Sequence, residues 1–174
     1  IVSETIAGFG YADCPGHPTW IPPAEAATSA AVARFPLRLI ANQPATRLHS
    51  QLDFGATSLA AKVQGREPVR IHPRDAADRG IRDGDVVCIY NDRGACLAGA
   101  VLSDALRPGV VQLATGAWYD PEDPAAPAPF CVHGNPNVLT RDAGTSRLAQ
   151  RCTGHIALVD IELFAGSLPS IKAF

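Results

Sequence analysis

The chain contains no methionine, only two tryptophans, and no apolar run approaching the ~18 residues that a membrane-crossing helix needs. The missing run excludes a helical membrane span. Ile1-Val2-Ser3-Glu4 shows no basic stretch followed by an apolar one, so no secretory leader is visible. The absence of Met, at position 1 as elsewhere, reads as a piece of a longer polypeptide. Cysteine is sparse: Cys14, Cys88, Cys96, Cys131 and Cys152 are odd in number, widely spaced and never C-x-x-C. That pattern argues against zinc or iron–sulfur sites and for free thiols. Of the cytoplasm and the periplasm, it favours the cytoplasm. Charge of one sign is also lacking, with 15 basic against 17 acidic residues and no block of either. No basic face for nucleic acid is expected. Gly-x-Gly-x-x-Gly and the P-loop are absent, and so is a nucleophile–base pair; His49 beside Ser50 is sequence adjacency, not a relay.

What is present fits one domain with its own core. Residues 1–35 carry Pro15, Pro18, Pro22 and Pro23, and read as a linker or wrapping arm with one short helix in 24–33. From Pro36 the chain is strand-rich. Pro36–Ala41, Val69–Ile71, Val86–Tyr90, Ala95–Leu102, Val110–Ala114 and Ile156–Leu163 are apolar or alternating runs. His72–Gly80 predicts a two-turn helix, with Pro73 in its first turn and Gly80 at its end. Asp83-Gly84-Asp85, Asn91–Gly94 and Pro108-Gly109 mark turns, and 136–149 is a polar, helix-capable segment. Asp75, Asp78, Asp83 and Asp85 are expected at the surface, and Trp118 and Tyr119 in the core. The order is that of a small β-barrel, mainly β with short helices; the pattern alone leaves several barrels open. Residues 36–165 would form the barrel and 166–174 a tail.

Asn42-Gln43-Pro44-Ala45-Thr46-Arg47-Leu48-His49-Ser50-Gln51 stands where the first strand ends. It concentrates amides, a guanidinium, an imidazole and a hydroxyl, a donor set suited to a phosphate- and purine-rich ligand. A helix N-terminus with a solvated polar face would look the same.

Four blocks, in order, carry a resemblance. They are Arg47-Leu48-His49-Ser50-Gln51-Leu52, Gly65-Arg66-Glu67-Pro68-Val69, Gly116-Ala117-Trp118-Tyr119-Asp120-Pro121, and His133-Gly134-Asn135-Pro136-Asn137-Val138-Leu139-Thr140-Arg141-Asp142. Gly144–Gln150 extends the last. Over about 36–164 the sequence resembles the C-terminal, molybdopterin-dinucleotide-binding domain of the dimethyl sulfoxide reductase family, in its biotin sulfoxide and trimethylamine N-oxide reductase branch. The resemblance implies a six-stranded double-psi β-barrel. It implies a bis(molybdopterin guanine dinucleotide) molybdenum cofactor shared with N-terminal and middle domains of the same polypeptide. The protein ligand to the metal would be a Ser of an earlier domain, so no residue here is catalytic or a metal ligand.

By residue, the resemblance places Asn42, Gln43 and Pro44 in a loop approaching the cofactor, with Arg47, His49 and Ser50 beside it. Asn137 matches a cofactor-contacting Asn. Gly154 and His155 fall where the chain returns to the cofactor, although the family is expected to carry Ala-Gln or a similar pair there. Other readings of the same residues are a surface Arg47, an ordinary His49 and Asn137 as a cap of 138–149. Cys131 and His133 are too few for a metal site. The whole reads as the cofactor-binding end of an S-oxide or N-oxide reductase; the alternative is a stand-alone barrel serving as a binding module.

Overall fold

The computed structural model describes residues 1–25, 28–150 and 157–174 of the chain. Alternation decides which side chains enter the barrel. In β1 (Leu37–Ile40) Leu37 and Leu39 are buried, and in β2 (Pro68–Ile71) Val69 and Ile71 point inward while Arg70 points out. β3 (Val86–Asn91) and β4 (Gly94–Leu102) form a hairpin, β5 (Val110–Leu113) buries Val111 and Leu113, and β7 (Leu158–Leu163) closes the chain's sheet. A two-residue strand, β6 (Phe130–Cys131), lies parallel to β4.

Pairing runs β2-β5-β1-β7-β3-β4 and returns from β4 to β2, so six strands form a closed mixed barrel. β1–β5 and β2–β4 are parallel, and the other pairs of the ring are antiparallel. This is the expected six-stranded double-psi barrel. Closure pairs each of the six ring strands on both sides. The interior is filled by side chains such as Leu39, Ile71, Ile89, Val111, Leu113 and Leu139, all fully buried. The strand directions bring the ends of β1, β3 and β5 and the starts of β2, β4 and β7 to one end of the barrel.

The helices α1 (Glu4–Gly8), α2 (Ala56–Ala61) and α3 (Pro73–Ala77) are short. α3 follows the sequence: His72 Nδ1 accepts from the Arg74 N–H, Pro73 occupies the first turn, and Gly80 adopts φ 67°. Asp75 differs from expectation. It is buried and accepts from the Gly109 N–H at 2.7 Å, pinning the Pro108-Gly109 turn to the helix.

Of the helix expected in 24–33 the described residues hold a 3₁₀ turn at Ala30–Ala33, and the helical segment expected in 136–149 is reduced to a second, Pro136–Leu139. In the second, the Leu139 carbonyl already accepts from Asn91 Nδ2 and Arg93 Nε, both at 2.8 Å. Cys88 lies opposite Leu97, and Cys96 opposite Ile89, so the two thiols face opposite sides of the sheet. Both are free, and burial, with the nearby Glu162, pushes the Cys88 thiol up to about 11.

Residues on both sides of the barrel strands in sequence are fastened to it. Glu25 takes both terminal nitrogens of Arg93, at 2.8 and 3.1 Å, and also accepts from the Leu158 N–H. At the other terminus, Arg66 donates to the Pro169 carbonyl, Asp120 accepts from the Ala173 N–H, and Phe174 packs edge-on against Trp118 and His133.

Candidate functional site

The chain leaves β1 at the barrel end described above and enters the polar loop. The Asn42 carbonyl accepts from the Thr115 N–H at 2.8 Å, joining the loop to the end of β5. Gln43 folds back to donate to the Arg47 carbonyl at 3.0 Å, and the Asn42 amide donates to the Gln43 carbonyl. His49 and Leu52 adopt φ 50° and 57°, left-handed values uncommon for residues other than glycine. What fixes His49 is close approach. A Cβ at Gly116, itself at φ +91°, would stand 1.9 Å from the His49 carbonyl oxygen. The Trp118 indole N–H donates to the Ser50 carbonyl at 2.8 Å. The His49 and Ser50 side chains are left exposed and do not line the cavity described below. Trp118 is therefore a brace between loops and not a core residue, and Tyr119 is half exposed.

Arg47 was expected to turn its fork toward a ligand; it points into the protein. Its side chain is 1% exposed. Nη2 lies 3.1 Å from Glu67 Oε2 and also donates to the Thr115 carbonyl, and Nη1 donates to Ser58 Oγ. Lys62 Nζ bridges Asp53 Oδ1 at 2.8 Å and Glu67 Oε2 at 3.1 Å. The other Asp53 oxygen accepts from the Trp118 N–H at 2.8 Å. The two cations and two carboxylates sum to zero charge, the condition under which buried ions are tolerated. Burial alone would raise Asp53; the Lys62 ammonium, the Trp118 N–H and Arg47 outweigh it and hold the carboxyl below its usual range. His133 completes the cluster, with Nδ1 3.0 Å from the Trp118 carbonyl and 3.7 Å from Asp53. Burial, reinforced by the Lys62 charge, lowers its pKa, so the ring is neutral and its Nδ1–H donates to the carbonyl.

Loop and barrel wall enclose a cavity of about 500 Å³, lined among others by Asn42, Gln43, Pro44, Arg47, Arg70 and Gln112. Two of its polar atoms are buried without a hydrogen-bond partner, Asn42 Oδ1 and Arg47 Nε. Arg47 Nε lies 3.5 Å from Asp53 without hydrogen-bond geometry. Nε faces the Asp53 carboxylate, so the orphaned atom left for a ligand is the Asn42 Oδ1 acceptor, which fits a group that offers an N–H, as a guanine does.

Asn137 sits at the same end of the barrel, since the 3₁₀ turn that contains it is bonded through Leu139 to Asn91, which also holds the Leu158 carbonyl. The residue capping that turn is Asn135, whose Oδ1 accepts from the Asn137 N–H; the Asn137 side chain is exposed and hydrogen-bonds to nothing among the described residues. Asn137 does not line the cavity. Gly154 and His155 lie outside the described residues.

The sequence reading missed Asp53, Lys62 and His133 as site members. His133 lay in one of the four motif blocks, but Asp53 and Lys62 lay in none, and ion pairing among residues 47, 53, 62 and 67 depends on how α2 folds back. Among the described residues, no three His, Cys, Asp or Glu side chains group as metal ligands, and no helix is long and apolar enough to cross a membrane.

A closed six-stranded barrel with a polar loop and a nucleotide-compatible cavity at one end defines a dinucleotide-binding module. The family profile described as "Molydopterin dinucleotide binding domain" matches residues 37–157, and the chain belongs to that family. It is 47% identical to dimethyl sulfoxide/trimethylamine N-oxide reductase of Cereibacter sphaeroides over all of this chain and 21% of that protein. It is 48% identical to trimethylamine-N-oxide reductase 1 of Escherichia coli K12, over 98% of this chain and 20% of that protein. Biotin sulfoxide reductase of Cereibacter sphaeroides is 49% identical over 94% of this chain and 21% of its own length. The chain thus spans about a fifth of the relatives it matches. Among solved structures, acetylene hydratase from Pelobacter acetylenicus superposes with a TM-score of 0.72 at 15% identity, over 94% of this chain and 23% of that one, a likeness of fold.

Proposed function

We propose that this chain is the cofactor-clamping domain of a longer molybdenum oxidoreductase that reduces S-oxides or N-oxides. The observation that carries the reading is the cavity beside loop 42–47, with Asn42 Oδ1 buried and without a hydrogen-bond partner at its edge. The cofactor would be molybdenum held by two pyranopterin guanine dinucleotides. When bound, it supplies two-electron removal of oxygen from the acceptor.

The residues of this chain bind and orient. Asn42, Gln43 and Pro44 meet the dinucleotide along the loop, with the backbone contributing because the Asn42 and Gln43 amide nitrogens are turned back onto the loop itself. His49 and Ser50 present exposed polar side chains next to the loop, outside the cavity lining, and Asn137 adds an exposed amide at the same barrel end. Gly154 and His155 join them by resemblance to the family. Arg47 acts one step removed: it holds the loop through Glu67, Ser58 and the Thr115 carbonyl, while its Nε faces the buried Asp53 carboxylate. The remaining contacts, the metal ligand and the substrate site belong to N-terminal and middle domains of the same polypeptide.

The test is the full-length protein in an assay coupling oxidation of reduced viologen to dimethyl sulfoxide, biotin sulfoxide and trimethylamine N-oxide. Turnover of one or more is expected. A full-length, folded protein that reduces none of them would refute the reading.

A further inference from the structure

The charge balance of the cavity leaves one cation unspent. Arg47 and Lys62 are both consumed by Asp53 and Glu67, so the buried cluster offers a phosphate-bearing ligand no net positive charge. Arg70 is different. It projects from the outer face of β2 into the cavity, is exposed, and makes no hydrogen bond or ion pair among the described residues. Register sets its neighbours. Arg70 stands opposite Val101 of β4 and opposite Gln112 of β5, and both also line the cavity. The wall is therefore an apolar residue, a free guanidinium and an amide side by side, below the loop that carries the unpaired Asn42 oxygen.

Resting on the reading above, we propose that Arg70, assisted by Gln112, binds the phosphate oxygens of the dinucleotide. A guanidinium fork matches two phosphate oxygens, and a neighbouring amide N–H completes the set. The site lies on the barrel wall outside the four motif blocks. It takes over the role that the motif assigns to Arg47, whose fork is committed elsewhere. Because Arg70 is exposed and unpaired among the described residues, removing it disturbs no packing within this domain, and surface changes of this kind leave its stability nearly unchanged.

The experiment follows release of guanine nucleotide and molybdenum from the purified full-length holoenzyme during mild heating, at low and high ionic strength. Arg70→Ala should release both about 10-fold faster at low salt, the loss of roughly one charge-assisted contact. Arg70→Lys should fall between, since an ammonium keeps the charge and loses the fork. High salt should accelerate release from the wild type and change Arg70→Ala little. Equal release from wild type and Arg70→Ala, with the same salt response, overturns the assignment and leaves the domain's function standing. A wild-type protein carrying no guanine nucleotide overturns both.

Discussion

Lys62 is the keystone of the buried cluster, and Lys62→Met is the perturbation with the largest expected consequence. The ammonium lies within 2.8 Å of Asp53 and 3.1 Å of Glu67, with the side chains of all three at most 3% exposed. Removing it leaves two carboxylates sharing the single positive charge of Arg47. Breaking a buried pair by deleting one partner costs about 3–5 kcal/mol. For a domain of this size that corresponds to a fall in Tm of roughly 6–20 °C. The cost arises from the uncompensated charge, not from the lost methylenes, and a second change separates the two. Lys62→Met combined with Glu67→Gln restores neutrality, so the double variant should be more stable than the sum of the singles by about 0.5–3 kcal/mol. Urea and thermal unfolding of the four proteins measure this cycle. Lys62→Met within about 0.5 kcal/mol of wild type, or strict additivity, would refute the argument that the cluster holds the loop electrostatically.

Further outcomes follow from the same geometry. Gly116→Ala should displace the His49 turn and lower stability by about 1–3 kcal/mol, because the new Cβ would need to occupy space 1.9 Å from the His49 carbonyl; wild-type melting would count against this contact. His133 is held neutral with a lowered pKa, so between that value and the ordinary value near 6.5 the unfolded chain binds a proton that the folded chain does not. Stability should therefore fall as pH drops below about 6.5, and His133→Gln should flatten that slope in pH-dependent urea titrations. The isolated chain should fold yet show no viologen-linked reduction of S-oxides or N-oxides, since no residue in it is proposed to ligate the metal; turnover by the fragment would contradict this.

The barrel was legible because its signals are local. Val69 and Ile71 alternate about Arg70, Pro73 and Gly80 bracket a helix, and Pro108-Gly109 turns the chain before β5. Each strand so marked is present with ends shifted by a residue or two. The segment 136–149 failed because a long-range event overrides propensity: Asn91 and Arg93 claim the Leu139 carbonyl that a longer helix would need. The site was legible as a loop but not as a set of roles. A guanidinium in a polar turn looks available from sequence, and only α2 folding back with Ser58 and Lys62, beside Glu67, shows that Arg47 is committed inward. Arg70 carried the opposite ambiguity, reading as an ordinary outward strand residue until the register set it beside Gln112 over a cavity.

The central claim is that this barrel end clamps a molybdenum-bearing guanine dinucleotide within a larger polypeptide. The most direct measurement is molybdenum and guanine nucleotide content of the purified full-length protein, the nucleotide being liberated by acid hydrolysis. The account predicts both together, with guanine and molybdenum in the two-to-one ratio of a bis-dinucleotide cofactor. A folded full-length protein, expressed in a host that makes the cofactor, that contains neither would contradict it.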